Sequence, residues 1–433
     1  MREPMRPRVR VATRQATPPA DSPGDSATPT PTGPPGADAS AAATDPVAVH
    51  GDLAAGTAPA RGLTRAELAW AARTAVPAWV AARLVVAGAL AFVHELASHA
   101  HLSSPQAARV HEGLLGWDAG WYEAIARHGY GGAGHLSLRF FPLVPVLTRA
   151  IASVPGIGAG AALLVLGNVS SLVAVVLIAV LARRESHDAG LSRRAAWLLC
   201  LAPAAFTQVM GYAEGTLLAL AIGTFLALRA RAWWWAGVLG LAAAATRPVG
   251  VLLVVPAAVE GLRSWRRAPW REKAARGAAV VAPGVGFGAF LGFVAWRYGD
   301  GLAPLRVQQG STLRGGLSDP LRTLAHDCSL LVHGHHLGTA LHLPWALLAV
   351  ALTVVAFVRW PASYGAFAAA VLAVALTAAN LDGFERYALS AFPLVLAGAA
   401  VSADERVERA VIAIAAAGLA LYAALAFTNL YVP

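Results

Sequence analysis

Residues 157–184 read IGAGAALLVLGNVSSLVAVVLIAVLARR, and no charge interrupts them before Arg183. Wound as a helix at about 1.5 Å per residue, the uncharged part outreaches the roughly 30 Å hydrocarbon core of a bilayer. The paired arginines that close it are of the kind that stop at a membrane surface. Comparable apolar segments occur at approximately 75–97, 195–210, 214–229, 233–246, 247–262, 277–297, 343–358, 363–380, 388–402 and 410–430. The segments alternate with short polar connections, which predicts an all-α polytopic membrane protein of about 11 transmembrane helices.

Composition agrees. The 433 residues are 57% hydrophobic and 13% charged, with a mean hydropathy of +0.56. A soluble domain carries about 25% charged residues, so a water-facing globular surface is excluded. The formal net charge of +10 would suggest nucleic acid in a soluble chain. Here the excess lies in the N-terminal tail and in short loops between apolar segments, where it sets topology, so no nucleic-acid partner is expected. Residues 1–60 are rich in Pro, Ala, Thr, Gly and Asp without a hydrophobic period and are expected to form a disordered cytoplasmic tail. The first thirty residues hold no apolar core, so a cleavable signal peptide is not expected, and the first span is expected to act as an uncleaved anchor. Cys200 lies in an apolar run and Cys328 in a polar loop, so a disulfide is not expected. His333, His335, His336 and His342 lack nearby carboxylate or thiol partners in the sequence, and no metal-ligand spacing is present.

The arginines orient the chain. Arg61, Arg65 and Arg73, then Arg183, Arg184, Arg193 and Arg194, then Arg229 and Arg231, then the run from Arg263 to Arg276, then Arg359, then Arg406 and Arg409 occupy alternate connections. The positive-inside rule makes these cytoplasmic, with the N-terminus on the same side. Two long loops, at about 98–156 and 298–342, then fall on the opposite face.

On that face five stretches place charges at the ends of apolar segments. They are Gly116-Trp117-Asp118-Ala119-Gly120-Trp121-Tyr122, Arg139-Phe140-Phe141-Pro142, Gly211-Tyr212-Ala213-Glu214, Thr246-Arg247-Pro248 and Phe384-Glu385-Arg386-Tyr387. A charge at a membrane boundary is costly unless used or paired, so their convergence marks a candidate site. Residues 107–128 have helical apolar spacing, predicting one interfacial helix in which Trp121 and Tyr122 flank Asp118 on a single face. A carboxylate between aromatic rings can take a proton from a sugar hydroxyl while the rings stack on the sugar or pack on a lipid chain. Arg139 and Arg247 suit a phosphate or pyrophosphate by bidentate hydrogen bonds, or snorkel to headgroups. Glu214 can pair with either arginine. Glu385 and Arg386 are adjacent and point in different directions on a helix. Pro142 and Pro145 suggest a re-entrant turn. Gln308 and Gln309, in the second long loop, suit sugar hydroxyls or simply face water.

The ordered set Trp117-Asp118-x-x-Trp121-Tyr122, Phe140-Phe141-Pro142-Leu143-x-Pro145, Gly211-Tyr212-x-Glu214, Thr246-Arg247-Pro248 and Arg386-Tyr387-x-x-x-x-Phe392-Pro393 resembles the PIG-V type mannosyltransferases over roughly residues 70–430. That family, which adds the second mannose of the GPI anchor in eukaryotes and has bacterial members, belongs to the GT-C glycosyltransferases. The resemblance implies a GT-C-like transmembrane domain over residues 61–433, with interfacial helices in the first long extracytoplasmic loop. It also implies a lipid-linked donor, polyprenyl-phosphate mannose, used from the extracytoplasmic side of a bacterial plasma membrane. Asp118 stands where the family's general base is expected, and transfer would invert the anomeric centre. Trp117, Trp121, Tyr122, Arg139, Tyr212, Glu214, Arg247, Glu385 and Arg386 would bind donor phosphate or substrate, with neither metal nor other cofactor. A bacterial member would use a glycolipid, lipoglycan or cell-wall glycan as acceptor. Gly301 follows Asp300 where many relatives carry proline, which weakens the loop beyond it as a guide to substrate contacts. The alternative is a transporter or flippase of a lipid-linked sugar, which would be expected to show inverted repeats and midplane charges.

Overall fold

The computed structural model describes residues 62–310, 313–332 and 342–432. The expected tail at 1–60 and His333, His335 and His336 lie outside them. Among the described residues there is no β-strand, only one antiparallel bridge between Leu317 and Ala378.

The helices in chain order are α1 (Arg65–His99), α2 (Ser104–Glu112), α3 (Asp118–Ala133), α4 (Leu143–Ala152), α5 (Ala159–Ser186), α6 (Ala189–Leu201), α7 (Glu214–Arg229), α8 (Trp233–Thr246) and α9 (Val254–Leu262). There follow α10 (Trp270–Tyr298), α11 (Ala303–Gln308), α12 (Pro320–Val332), α13 (His342–Arg359), α14 (Ala362–Leu376), α15 (Phe384–Ser390), α16 (Pro393–Val401) and α17 (Glu405–Phe427). All eleven apolar segments are occupied by helix, but among the described residues only α1, α5, α10, α13 and α17 are long and apolar enough to cross a bilayer. A sixth span results if α15 and α16, bent by 89°, count as one. The chain is a multi-pass membrane protein; the expected eleven full spans are not reached by length.

Proline explains much of the shortfall. Pro203 turns the chain after α6 into the 3-10 helix Pro203–Gln208, and Pro248 does the same after α8 over Pro248–Leu253. Arg247, just before Pro248, is extended at φ −154° and ψ 151°, as the steric demand of a following proline requires. Helices of 13 to 16 residues such as α6, α7 and α8 reach only about 20–24 Å at 1.5 Å per residue.

Small residues bring the helices close. A Cβ on Gly286 of α10 would lie 2.2 Å from the Leu241 carbonyl oxygen of α8, so only glycine permits this crossing. Ion pairs collect the basic connections at one end of the helices. Arg184 grips Glu67 through Nε and Nη2 at 2.7 and 2.8 Å. Arg229 reaches Glu185 at 2.7 Å and Glu260 at 3.5 Å, and Arg193 reaches Glu408 at 2.5 Å. The starts of α3 and α7 and the ends of α8 and α14 lie at the other end, with α15.

Candidate active site

The single interfacial helix expected over 107–128 is instead two. α2 stops at Glu112, a 3-10 turn covers Gly113–Leu115, and Trp117 adopts φ +57° before α3 begins. Gly113, at φ +53°, accommodates the break. Asp118 is therefore the first residue of α3, where the helix dipole favours a carboxylate. Pro145 sits in the first turn of α4, where its missing N–H costs no hydrogen bond, so it continues that helix rather than breaking it.

Asp118 faces two arginines. Arg386 Nη1 donates to Oδ2 at 2.6 Å, and Arg139 Nη2 lies 3.6 Å from Oδ1. The Asp118 backbone N–H donates to the Tyr212 hydroxyl at 3.3 Å. Burial opposes the charge on Asp118, but Arg386, then Arg139, and at longer range Arg247, outweigh it and hold the carboxyl below its ordinary range. Burial pushes the Tyr122 hydroxyl up to about 12, so it remains a hydrogen-bond donor at neutral pH.

Behind this pair, Glu214 at the start of α7 forms an ion pair with Arg247 and lies 3.3 Å from Arg386 Nε. Glu214, Arg247 and Arg386 are all buried. One carboxylate thus fixes two guanidinium groups from the ends of different helices. An arginine buried without a partner would be strongly unfavourable.

These groups border a cavity of about 410 Å³. Asp118, Tyr122, Arg139, Arg247 and Arg386 line it, together with Gln308, Gln309, Arg314 and Tyr387; Phe140, Phe287, Leu252 and Val374 supply apolar wall. Phe140 meets Trp121 in a stacked pair at 6.0 Å and Tyr122 edge-on at 5.0 Å, and Arg139 lies over its ring at 4.7 Å. Phe141, fully buried, packs on Phe287 and Phe290 of α10, which docks the first long loop onto the helices.

Not every expected residue reaches the cavity. Trp117 donates its indole N–H to the Ala426 carbonyl at 3.0 Å and lies under Arg109, tying the first loop to the end of α17. Trp121 acts on the wall through Phe140. Tyr212 is buried beneath Asp118, and Arg386 lies over its ring at 5.5 Å. Glu385 turns away from Arg386 and meets His342, which supplies the carboxylate partner that the sequence around His342 lacks. Arg314 carries no sequence signal of its own, standing in a polar loop. It enters the cavity from a strap in which Ala379 N–H donates to the Gly316 carbonyl at 3.0 Å and Asn380 Nδ2 to the Leu313 carbonyl at 2.6 Å. Gly315, at φ +70°, would bring a Cβ 2.7 Å from that of Ala379, so the strap depends on glycine there. Arg314 lies 4.1 Å over the Tyr387 ring. Its Nε, like that of Arg139, is buried without a hydrogen-bond partner among the described residues.

The cavity is therefore cation-rich: Arg139, Arg247, Arg314 and Arg386 stand against Asp118 and Glu214. Residues 83–258, less than half of the chain, match the family model described as Mannosyltransferase (PIG-V). Over these residues the chain is similar to the PIG-V mannosyltransferases. The matched PIG-V segment carries Asp118, Arg139, Glu214 and Arg247, and with the apolar helices it marks the chain as a membrane glycosyltransferase. No curated protein matches the chain. Two crystal structures of ArnT from Cupriavidus metallidurans are similar at 16% identity. For the apo state the TM-score is 0.43, over 72% of this chain and 71% of that one. For the form bound to undecaprenyl phosphate it is 0.42, over 80% and 76%.

Proposed function

We propose that the chain transfers mannose from polyprenyl-phosphate mannose to a glycolipid or glycan acceptor, at the extracytoplasmic face of a bacterial plasma membrane. The observation that carries this reading is Asp118, facing Arg386 and Arg139, at the wall of a cavity that Arg247 and Arg314 also line, with Glu214 behind them. The donor phosphate supplies the missing negative charge. On entering, it competes with Asp118 for Arg139 and Arg386, leaving a carboxylate oxygen able to accept a proton.

In the step itself the acceptor hydroxyl oxygen bonds to C1 of the sugar as the bond from C1 to the phosphate oxygen breaks. The hydroxyl proton goes to Asp118, and polyprenyl phosphate departs against the arginines, with inversion at C1. A phosphate is a good leaving group, so one base and preorganised cations suffice. The paired nucleophile and acid of a retaining glycosidase are not required. Tyr122 and Phe140, the latter backed by Trp121, give an aromatic wall suited to a sugar face or the first isoprene units. The basic connections support a cytoplasmic location for the opposite end of the helices and for the N-terminus. The gathering of charge at one end rather than the midplane favours transfer over transport.

The test is transfer of labelled mannose from polyprenyl-phosphate mannose in membranes prepared with and without the protein. Protein-dependent labelling of a membrane glycan supports the proposal. No labelling, with the protein inserted and native acceptors present, rejects mannose transfer.

A further inference from the structure

Outside the cavity, buried groups converge on the residue next to Arg386. Both oxygens of Glu385 lie 2.9 Å from His342 Nδ1, and the Tyr431 hydroxyl donates to Glu385 Oε2 at 2.7 Å. Glu385, His342 and Tyr431 are 6%, 2% and 4% exposed. On the far side of the imidazole, Nε2 lies 3.8 Å from Asp382. The Tyr431 ring packs on Tyr422 at 4.9 Å. The start of α13, the short α15 and the segment after α17 thus close on a single carboxylate, and none of the three side chains lines the cavity.

The placement matters because of what α15 carries. It has seven residues and ends at a sharp bend, so its own hydrogen bonds do little to hold it. Neighbouring side chains on a helix point roughly 100° apart. The direction in which Glu385 is held therefore sets the direction of Arg386, the closest partner of Asp118. A buried carboxylate needs strong donors, and His342 and Tyr431 provide them from elements far apart in the chain.

We propose that His342, Glu385 and Tyr431 are positioning residues: a clasp that fixes the rotation of α15 so that Arg386 bridges Asp118 and Glu214. This rests on the reading of the cavity as the transfer site. It assigns Glu385 a role through Arg386 rather than on substrate.

The test is a double-mutant cycle with two readouts, mannose transfer and binding of undecaprenyl phosphate to the purified full chain. Tyr431→Phe removes one hydroxyl, and Glu385→Gln keeps side-chain size. Each is expected to lower kcat and weaken lipid-phosphate binding by about fivefold, with acceptor KM within about twofold of wild type. In an Arg386→Lys background neither should cost more than about 1.5-fold, because the group they position has already changed. Penalties that multiply instead would overturn the clasp. So would a lowered melting temperature with unchanged kcat, or a raised acceptor KM in Glu385→Gln alone. Coupled losses in binding without detectable mannose transfer would keep the clasp and reject the mannosyl reading. Absence of binding to the wild type would reject both.

Discussion

The two ends of the helices use the same residue types differently. At the basic end, Arg184, Arg193, Arg229 and Arg276 each meet a glutamate. Spare donors there go to backbone carbonyls, as when Arg194 Nε donates to Ala399 at 2.7 Å. At the other end Arg139, Arg247 and Arg386 share Asp118 and Glu214, Arg314 joins them at the cavity without a carboxylate among the described residues, and buried guanidinium nitrogens stay unmatched. Arginine paired with glutamate from another helix, as in Arg184 with Glu67 and Arg193 with Glu408, ties helices together. A surplus held in place by packing leaves a site complementary to an anion, and that difference separates the arginines that tie helices from those proposed to bind substrate.

Several substitutions sharpen the contrast, from the largest expected effect to the smallest. Asp118→Asn should lower mannose transfer by about 10³-fold, within the range spanned by a general base, while the chain stays folded; transfer assays on equal amounts of inserted protein check this. Glu214→Gln should destabilise by about 3 to 5 kcal/mol, because it strands Arg247 and Arg386 in a buried site; thermal unfolding in detergent reads the loss. Arg314→Gln should reduce kcat/KM for the lipid-linked donor by about tenfold, the value of one charge-assisted contact, with a small change in melting temperature. Arg184→Gln, at the basic end, should cost about 1 kcal/mol or less for a partly exposed pair and leave kcat/KM unchanged.

The pH response distinguishes the ends further. The carboxyl of Asp118 is held below its ordinary value, so the proposed base stays ionised from neutral pH down to about pH 5. Transfer should be flat across that interval and fall only as the pH drops through the lowered value. A rate that already declines between pH 7 and 5 would show that another group limits the reaction.

Much of this division is legible in the sequence. Asp118, Arg139, Glu214, Arg247 and Arg386 stand out because each charge abuts an apolar segment, where charge is conspicuous, and the structure brings all five together. Arg314 is not legible, because an arginine in a polar loop is unremarkable. Only the backbone pairing of Gly316 with Ala379 and of Arg314 with Asn380 carries it inward. The pairing of His342 with Glu385 is equally hidden, since the residues lie on different elements 43 positions apart. In the fold, apolar runs locate the helices but not their lengths. Pro203 and Pro248 convert stretches that read as continuous into short helices joined by 3-10 turns. The break before Asp118 escapes hydrophobic periodicity because Val110, Leu114 and Trp121 keep helical spacing across it.

The most direct measurement compares Asp118→Asn and Arg184→Gln for mannose transfer from polyprenyl-phosphate mannose, at matched levels of folded protein in the same membranes. Loss of transfer in Asp118→Asn with wild-type rates in Arg184→Gln is the expected result. Transfer that persists in Asp118→Asn, or that falls equally in both variants, would contradict the assignment of chemistry to the cation-rich end.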